Sequence, residues 1–195
     1  MGTLKQAMMK VRILTFFALT MMIFAAGCGN SKTAVMSTED TAALEAMIQE
    51  QAFEINADWA IPLGTGAMNS LAVSGLVPPG SAINQINLQG TPNFLRIQGD
   101  SVSARLPYYG ERQVGGLYGR ASGIEFNGLA TDLKIKKNEK KQSYEVSFRV
   151  KDQDQTEHYQ VNAMVFPNMS SSVTVNSTQR FVIRYRGAAK ALALE

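Results

Sequence analysis

The fold is decided by the stretch Asn93-Phe94-Leu95-Arg96-Ile97-Gln98-Gly99-Asp100-Ser101-Val102-Ser103-Ala104-Arg105-Leu106. Gly99-Asp100 supplies a two-residue hairpin turn, because glycine reaches positive φ without a Cβ clash. Counting outward from that turn sets Ile97 opposite Val102 and Leu95 opposite Ala104. These four share one face, while Arg96 and Ser103 share the other. A slip of one residue would turn every apolar side chain to the wrong face, so turn and pattern specify the same register.

The same period of two runs on both sides. Upstream, Phe53, Ile55, Ala57, Trp59 and Ile61 alternate with Glu54, Asn56, Asp58 and Ala60 in a half-buried strand ended by Pro62. Downstream, strands are predicted at 124–126, 133–137 and 143–151. Others are predicted at 158–166, 172–176 and 180–186. Tyr144, Val146, Phe148 and Val150 take one side of their strand, and Tyr159, Val161, Ala163 and Val165 one side of theirs. Residues 62–92 are rich in Gly, Pro, Ser and Asn, with a weak strand at 83–88. A short helix is predicted at 38–51: Ser37 caps it, Asp40 stands in the capping-box position, and Leu44, Met47 and Ile48 form one stripe. Eight or nine short strands with turn signals between them describe an all-β fold, an antiparallel sandwich or small barrel with one short N-terminal helix.

Ahead of that domain the chain changes character. Lys5, Lys10 and Arg12 precede an apolar run from Ile13 to Ala26, which ends in Ala25-Ala26-Gly27-Cys28. As a helix the run would reach only ~21 Å against a hydrocarbon core of ~30 Å, too short to span. A basic start, an apolar middle and small residues before a cysteine resemble the signal and lipobox of a bacterial lipoprotein. The family position three before the cysteine is usually Leu and here is Ala25. The expected organisation is a signal peptide at 1–27, a lipidated flexible tether at 28–38, one β-rich domain at 39–187 and a tail at 188–195. That Ala/Leu-rich tail reads as frayed or as a short helix. Residues just after Cys28 carry no acidic run, which favours the periplasmic face of an outer membrane.

Cys28 is the single cysteine in the sequence. Acylated, it leaves no thiol for a disulfide, a nucleophile or a metal site. The pI near 9.0 belongs mostly to the leader: without residues 1–27 the chain carries 16 basic and 16 acidic residues. No nucleic-acid partner is expected, since that needs a clustered basic footprint.

The segments Gly99-Asp100-Ser101-Val102, Leu106-Pro107-Tyr108-Tyr109-Gly110, Gly123-Ile124-Glu125-Phe126-Asn127-Gly128 and Val165-Phe166-Pro167-Asn168, in this order, resemble domain-of-unknown-function family 4251, a set of small envelope lipoproteins. The likeness covers about 45–187. It implies an antiparallel domain behind a cleaved signal, and it brings no catalytic residues and no cofactor. The spacer at 64–90 and the tail after Gly187 depart from the family pattern.

Little in the chain points to catalysis. His158, the single histidine, follows the charged loop 151–157 and takes the outward parity of its strand. Glu54 and Asp58 share a strand face but lie ~13 Å apart at Cα, too far for an acid/base dyad. Gly64-Thr65-Gly66 lacks the third glycine of a dinucleotide fingerprint. Lys134, Lys136, Lys137, Lys140 and Lys141 read as a solvated face that protects a sheet edge, with anionic lipid or polysaccharide binding as the alternative.

The connection 107–123 is the leading functional candidate. It is long for a compact domain and holds Tyr108, Tyr109 and Tyr118. Tyrosine offers apolar area with a polar tip, suited to an envelope protein or a glycan. The bland alternative is that the rings merely pack over one end of the barrel. The sequence therefore predicts a non-enzymatic binding or envelope-assembly module on a membrane, and second a barrel carrying a small apolar ligand near Trp59 and Phe94.

Overall fold

A computed structural model of the chain describes residues 38–64, 78–82, 84–113 and 123–192. These residues form one helix and an antiparallel sheet. The helix α1 is Thr38–Glu50. The strands are β1 (Ala52–Pro62), β2 (Ile86–Asn87), β3 (Phe94–Gln98), β4 (Ser101–Leu106), β5 (Ile124–Leu129), β6 (Thr131–Asn138), β7 (Ser143–Lys151), β8 (His158–Val165), β9 (Ser170–Ser177) and β10 (Ile183–Ala191). Their spatial order is β5-β4-β3-β1-β10-β9-β8-β7-β6, with β2 paired to β1 off this path. The two ends of the order, β5 and β6, are neighbours in sequence, joined through Ala130. Phe126 of β5 reaches across to the ring of Phe148 on β7, centroids 6.2 Å apart and edge-on, and to Tyr159 on β8 at 5.6 Å. The sheet thus curls into a nearly closed barrel around its apolar face.

Inside lies one continuous core, to which every long strand contributes at period two. The hairpin at 93–106 has the register its turn requires: Ile97 opposite Val102, Leu95 opposite Ala104, Arg96 opposite Ser103. Tyr144, Val146, Phe148 and Val150 are all buried, as are Tyr159, Val161, Ala163 and Val165. Helix α1 buries Leu44, Met47 and Ile48. It ends where Gln51 turns to φ 48°, and the Gln51 carbonyl then accepts from Gly99 N in the β3–β4 turn at 2.8 Å. Glu45 of α1 meets Lys137 at the end of β6, 3.5 Å away. The helix therefore packs at the end of the barrel that carries the β3–β4 and β6–β7 turns. Ser37 lies outside the described residues.

Three sequence expectations need correction. The alternation of β1 breaks: pairing with β10 shifts between Ala57 and Trp59, leaving Asp58 as an exposed bulge. Beyond it the inward residues are Ala60 and Pro62, so Trp59 and Ile61 turn outward and are half-buried. The bulge is held by Asn93, whose side-chain oxygen accepts from Ala57 N (2.7 Å) and whose amide donates to the Ala57 and Thr91 carbonyls (2.9 Å each). A buried asparagine thus supplies the partners that the bulge takes from the ladder.

The second correction is at the C-terminus. Residues 188–191 are neither helical nor frayed; they complete β10, opposite Asn56 to Phe53 of β1. Paired backbone decides this, not the helix propensity of an Ala/Leu-rich run. Gly187 makes the pairing possible, because a Cβ there would overlap the Asn56 carbonyl oxygen.

The third concerns Glu54. It lies on the outer face as its parity requires, yet it is 4% exposed. Arg96 on β3 and Lys190 on β10 flank it and cover it, the lysine at 3.0 Å. Burial alone would raise its pKa, but hydrogen bonds from Lys190 and Arg96 hold it below the usual carboxylate pKa.

Candidate functional site

At the end of the barrel opposite the β3–β4 turn, three connections converge: 107–113 after β4, 152–157 between β7 and β8, and 178–182 between β9 and β10. They are sewn together by backbone bonds. Gln113 N donates to the Gln179 carbonyl at 2.7 Å and Phe181 N to Glu111 at 3.2 Å, while Arg112 bridges Arg180. Tyr185, at the start of β10, donates its hydroxyl to the Pro107 carbonyl at 2.8 Å. The strap 107–113 is thus an ordered lid on the core.

Under it sits a buried ion pair. Glu157 is 2% exposed and Arg180 is 4% exposed. Arg180 donates to the carboxylate through Nε (2.9 Å) and Nη2 (3.3 Å), Arg112 approaches it at 3.4 Å, and the Ser177 hydroxyl donates to it as well. Burial pushes Glu157 toward its neutral form; the bonds from Arg180 and Ser177 outweigh that and keep it ionised below its ordinary range. The Arg180 guanidinium also lies 5.1 Å from the ring centre of Tyr108. The Tyr108 hydroxyl is placed between the carbonyls of Glu111 (2.9 Å) and Phe181 (3.1 Å) and donates to them. Burial raises its pKa above that of free tyrosine. Gly110 allows this fold-back, since a Cβ there would come within 2.6 Å of the Tyr108 oxygen.

Of the three tyrosines singled out in the sequence, Tyr108 and Tyr109 are half-buried and packed against the core. Tyr118 and the rest of 114–122 lie outside the described residues. Tyr108 is largely structural, because its hydroxyl is bonded to two carbonyls and its ring lies against the Arg180 guanidinium. Tyr109 lines an open groove of about 290 Å³ with Pro92, Pro107, Arg105 and Glu125. Arg105 and Glu125 pair across β4 and β5 at 3.3 Å, both substantially exposed. The groove thus combines an aromatic ring, two prolines and an exposed ion pair.

Other candidates separate. His158 is exposed at the start of β8, where its parity put it. Glu54 is held by Arg96 and Lys190, while Asp58 is exposed in the bulge, so the two form no dyad. Trp59 and Phe94 line no barrel interior: the bulge turns Trp59 out, and Phe94 shares the outer face with Arg96, whose guanidinium lies 4.5 Å from its ring centre. Lys134 and Lys136 are exposed on β6, as a solvated strand face requires. Among the described residues no three His, Cys, Asp or Glu side chains gather to hold a metal ion, and no helix is long and apolar enough to cross a membrane. The Glu157–Arg180–Arg112 cluster was not legible in the sequence. Its members come from three loops, and no spacing relates them.

A nearly closed antiparallel barrel, helix-packed at one end and strapped by loops at the other, defines a small β-barrel domain with an open groove beside Tyr109. The chain belongs to the family described as Domain of unknown function (DUF4251), whose model matches residues 36–189. Among solved structures it is similar to a DUF4251 family protein from Bacteroides eggerthii DSM 20697, at 13% identity and a TM-score of 0.52, covering 78% of this chain and 88% of that one. That likeness carries the fold alone. No curated protein matches the chain.

Proposed function

We propose that this protein is a non-enzymatic binding module of the bacterial cell envelope, held at a membrane by a lipid on Cys28. It receives an envelope protein or glycan at the strapped end of its barrel. The observation that carries this is the groove of about 290 Å³ in which Tyr109 stands beside two prolines and the exposed Arg105–Glu125 pair. An aromatic face with flanking charged groups offers stacking area and oriented hydrogen bonds together. The groove lies at the end of the barrel opposite helix α1. The periplasmic face of an outer membrane is the proposed location. A ligand carrier is less favoured, because Trp59 and Phe94 turn outward and the described core is closely packed.

Two measurements test this. Mass spectrometry of the native protein is expected to show an acylated N-terminal Cys28; a free thiol with residues 1–27 attached would overturn the anchor. Crosslinking in whole envelopes with wild type and Tyr109→Ser is expected to recover a partner from wild type alone. Equal recovery from both would remove the groove from the account.

A further inference from the structure

We propose a second binding site, for an acidic saccharide, on the outer wall of the barrel where β7, β8 and β9 meet the start of β6. A groove of about 440 Å³ lies there, lined by Thr131, Arg149, Lys151, His158, Gln160 and Asn176, among others. The ladder assembles it. Lys151 stands opposite His158, Arg149 opposite Gln160, and Gln160 opposite Asn176. Val150 and Tyr159, the intervening residues, point into the core and are buried. The outward side chains therefore form a patch drawn from three strands, with neighbours ~5 Å apart. Thr178 continues it, its hydroxyl accepting from His158 N at 3.1 Å.

The groove owes its wall to an irregularity. Pairing of β6 with β7 shifts between Thr131 and Lys134, and Asp132 adopts φ 56°. A non-glycine residue in that region is uncommon, and bulges of this kind re-aim side chains beside functional surfaces. Here the bulge brings Asp132 against Arg149, with which it pairs. That fixes the guanidinium at the rim and leaves the other cation uncompensated. Among the described residues Lys151 and His158 have no carboxylate partner. The lining is thus rich in groups that donate to an anion, with one carboxylate already engaged.

Size and composition choose the ligand class. A volume of this order accommodates a drug-sized molecule, far more than a lone inorganic anion fills. Gln160, Asn176, Thr131 and Thr178 add amides and hydroxyls that match sugar hydroxyls, while Lys151 and Arg149 match a carboxylate. A nucleic acid fits poorly, because the patch is confined to one groove and offers no aromatic platform for bases. The site is separate from the tyrosine groove and does not depend on it.

The test is calorimetric titration of the full chain with oligogalacturonate, its methyl-esterified neutral form and inorganic phosphate. Binding of the acidic oligomer is expected, weakened at least about tenfold by Lys151→Gln/His158→Gln and unchanged by Tyr109→Ser. All three altered residues are exposed or half-buried, and circular dichroism checks that the variants are folded. Equal binding of the neutral form, tighter binding of phosphate, an unaffected double variant, or no heat with the acidic oligomer at about 1 mM would each overturn the proposal.

Discussion

Replacing Gly187 by alanine adds one methyl group, and the structure places it against the backbone of β1. An ideal Cβ would overlap the Asn56 carbonyl oxygen, lying within 2.8 Å of the Asn56 carbonyl carbon and 2.7 Å of Ala57 Cα. All three atoms are backbone, so no rotamer change relieves the contact. The strands must part by roughly 1 Å at a point where the ladder is already interrupted by the Asp58 bulge. Two or three ladder bonds lengthen there, at about 1 kcal/mol each, and Asn93 loses its hold on Ala57 at a similar cost. The sum is about 3–4 kcal/mol, within the upper range for overpacked or network-breaking substitutions. For a domain of this length that corresponds to a fall in melting temperature of about 6–16 °C. Thermal unfolding followed by circular dichroism measures it. Gly128→Ala is the control, since a Cβ on Gly128 meets nothing within 4 Å. A Gly187→Ala protein melting within about 2 °C of wild type would refute the close-approach argument.

Two further outcomes follow from the buried charges. Arg180→Met strands Glu157 in the core and is expected to cost about 3–5 kcal/mol, while adding Glu157→Leu restores much of the loss; urea unfolding of both variants checks this, and a single variant as stable as wild type would contradict it. Acid should destabilise the protein: Glu54 and Glu157 have folded-state pKa values below their ordinary 4.5, so their contribution is complete above that value and disappears as pH falls through the depressed one. Urea midpoints taken from neutral pH downward should hold level and then drop in the acid range, less steeply in Glu157→Gln, and a flat profile would count against the ion pairs.

What the sequence disclosed was local. The faces of β7 and β8, the 93–106 register and the stripe of α1 each follow from periods within a dozen residues, and each stands in the structure. What it concealed was decided across the sheet. The β1 alternation reads straight through Asp58 and Trp59, because the cause of the bulge, the Asn93 amide, lies 36 residues away. Residues 188–191 look like a tail because their partners belong to β1. Glu54 looks solvated because Arg96 and Lys190, which cover it, come from two other strands. The candidate site divides the same way: the aromatic segment was visible as a composition, whereas Arg112, Glu157 and Arg180 meet through topology alone.

Within the sheet, β1 is the first of the described strands along the chain, and its neighbour β10 is the last. Phe53 pairs with Ala191, and Leu192 N closes the ladder on the Ala52 carbonyl at 2.9 Å. Contacts so far apart along the chain slow folding, because a large loop must close before they reward it. A chain synthesised only as far as β9 holds β1 with one edge vacant. The barrel locks only once β10 is available to pair with β1.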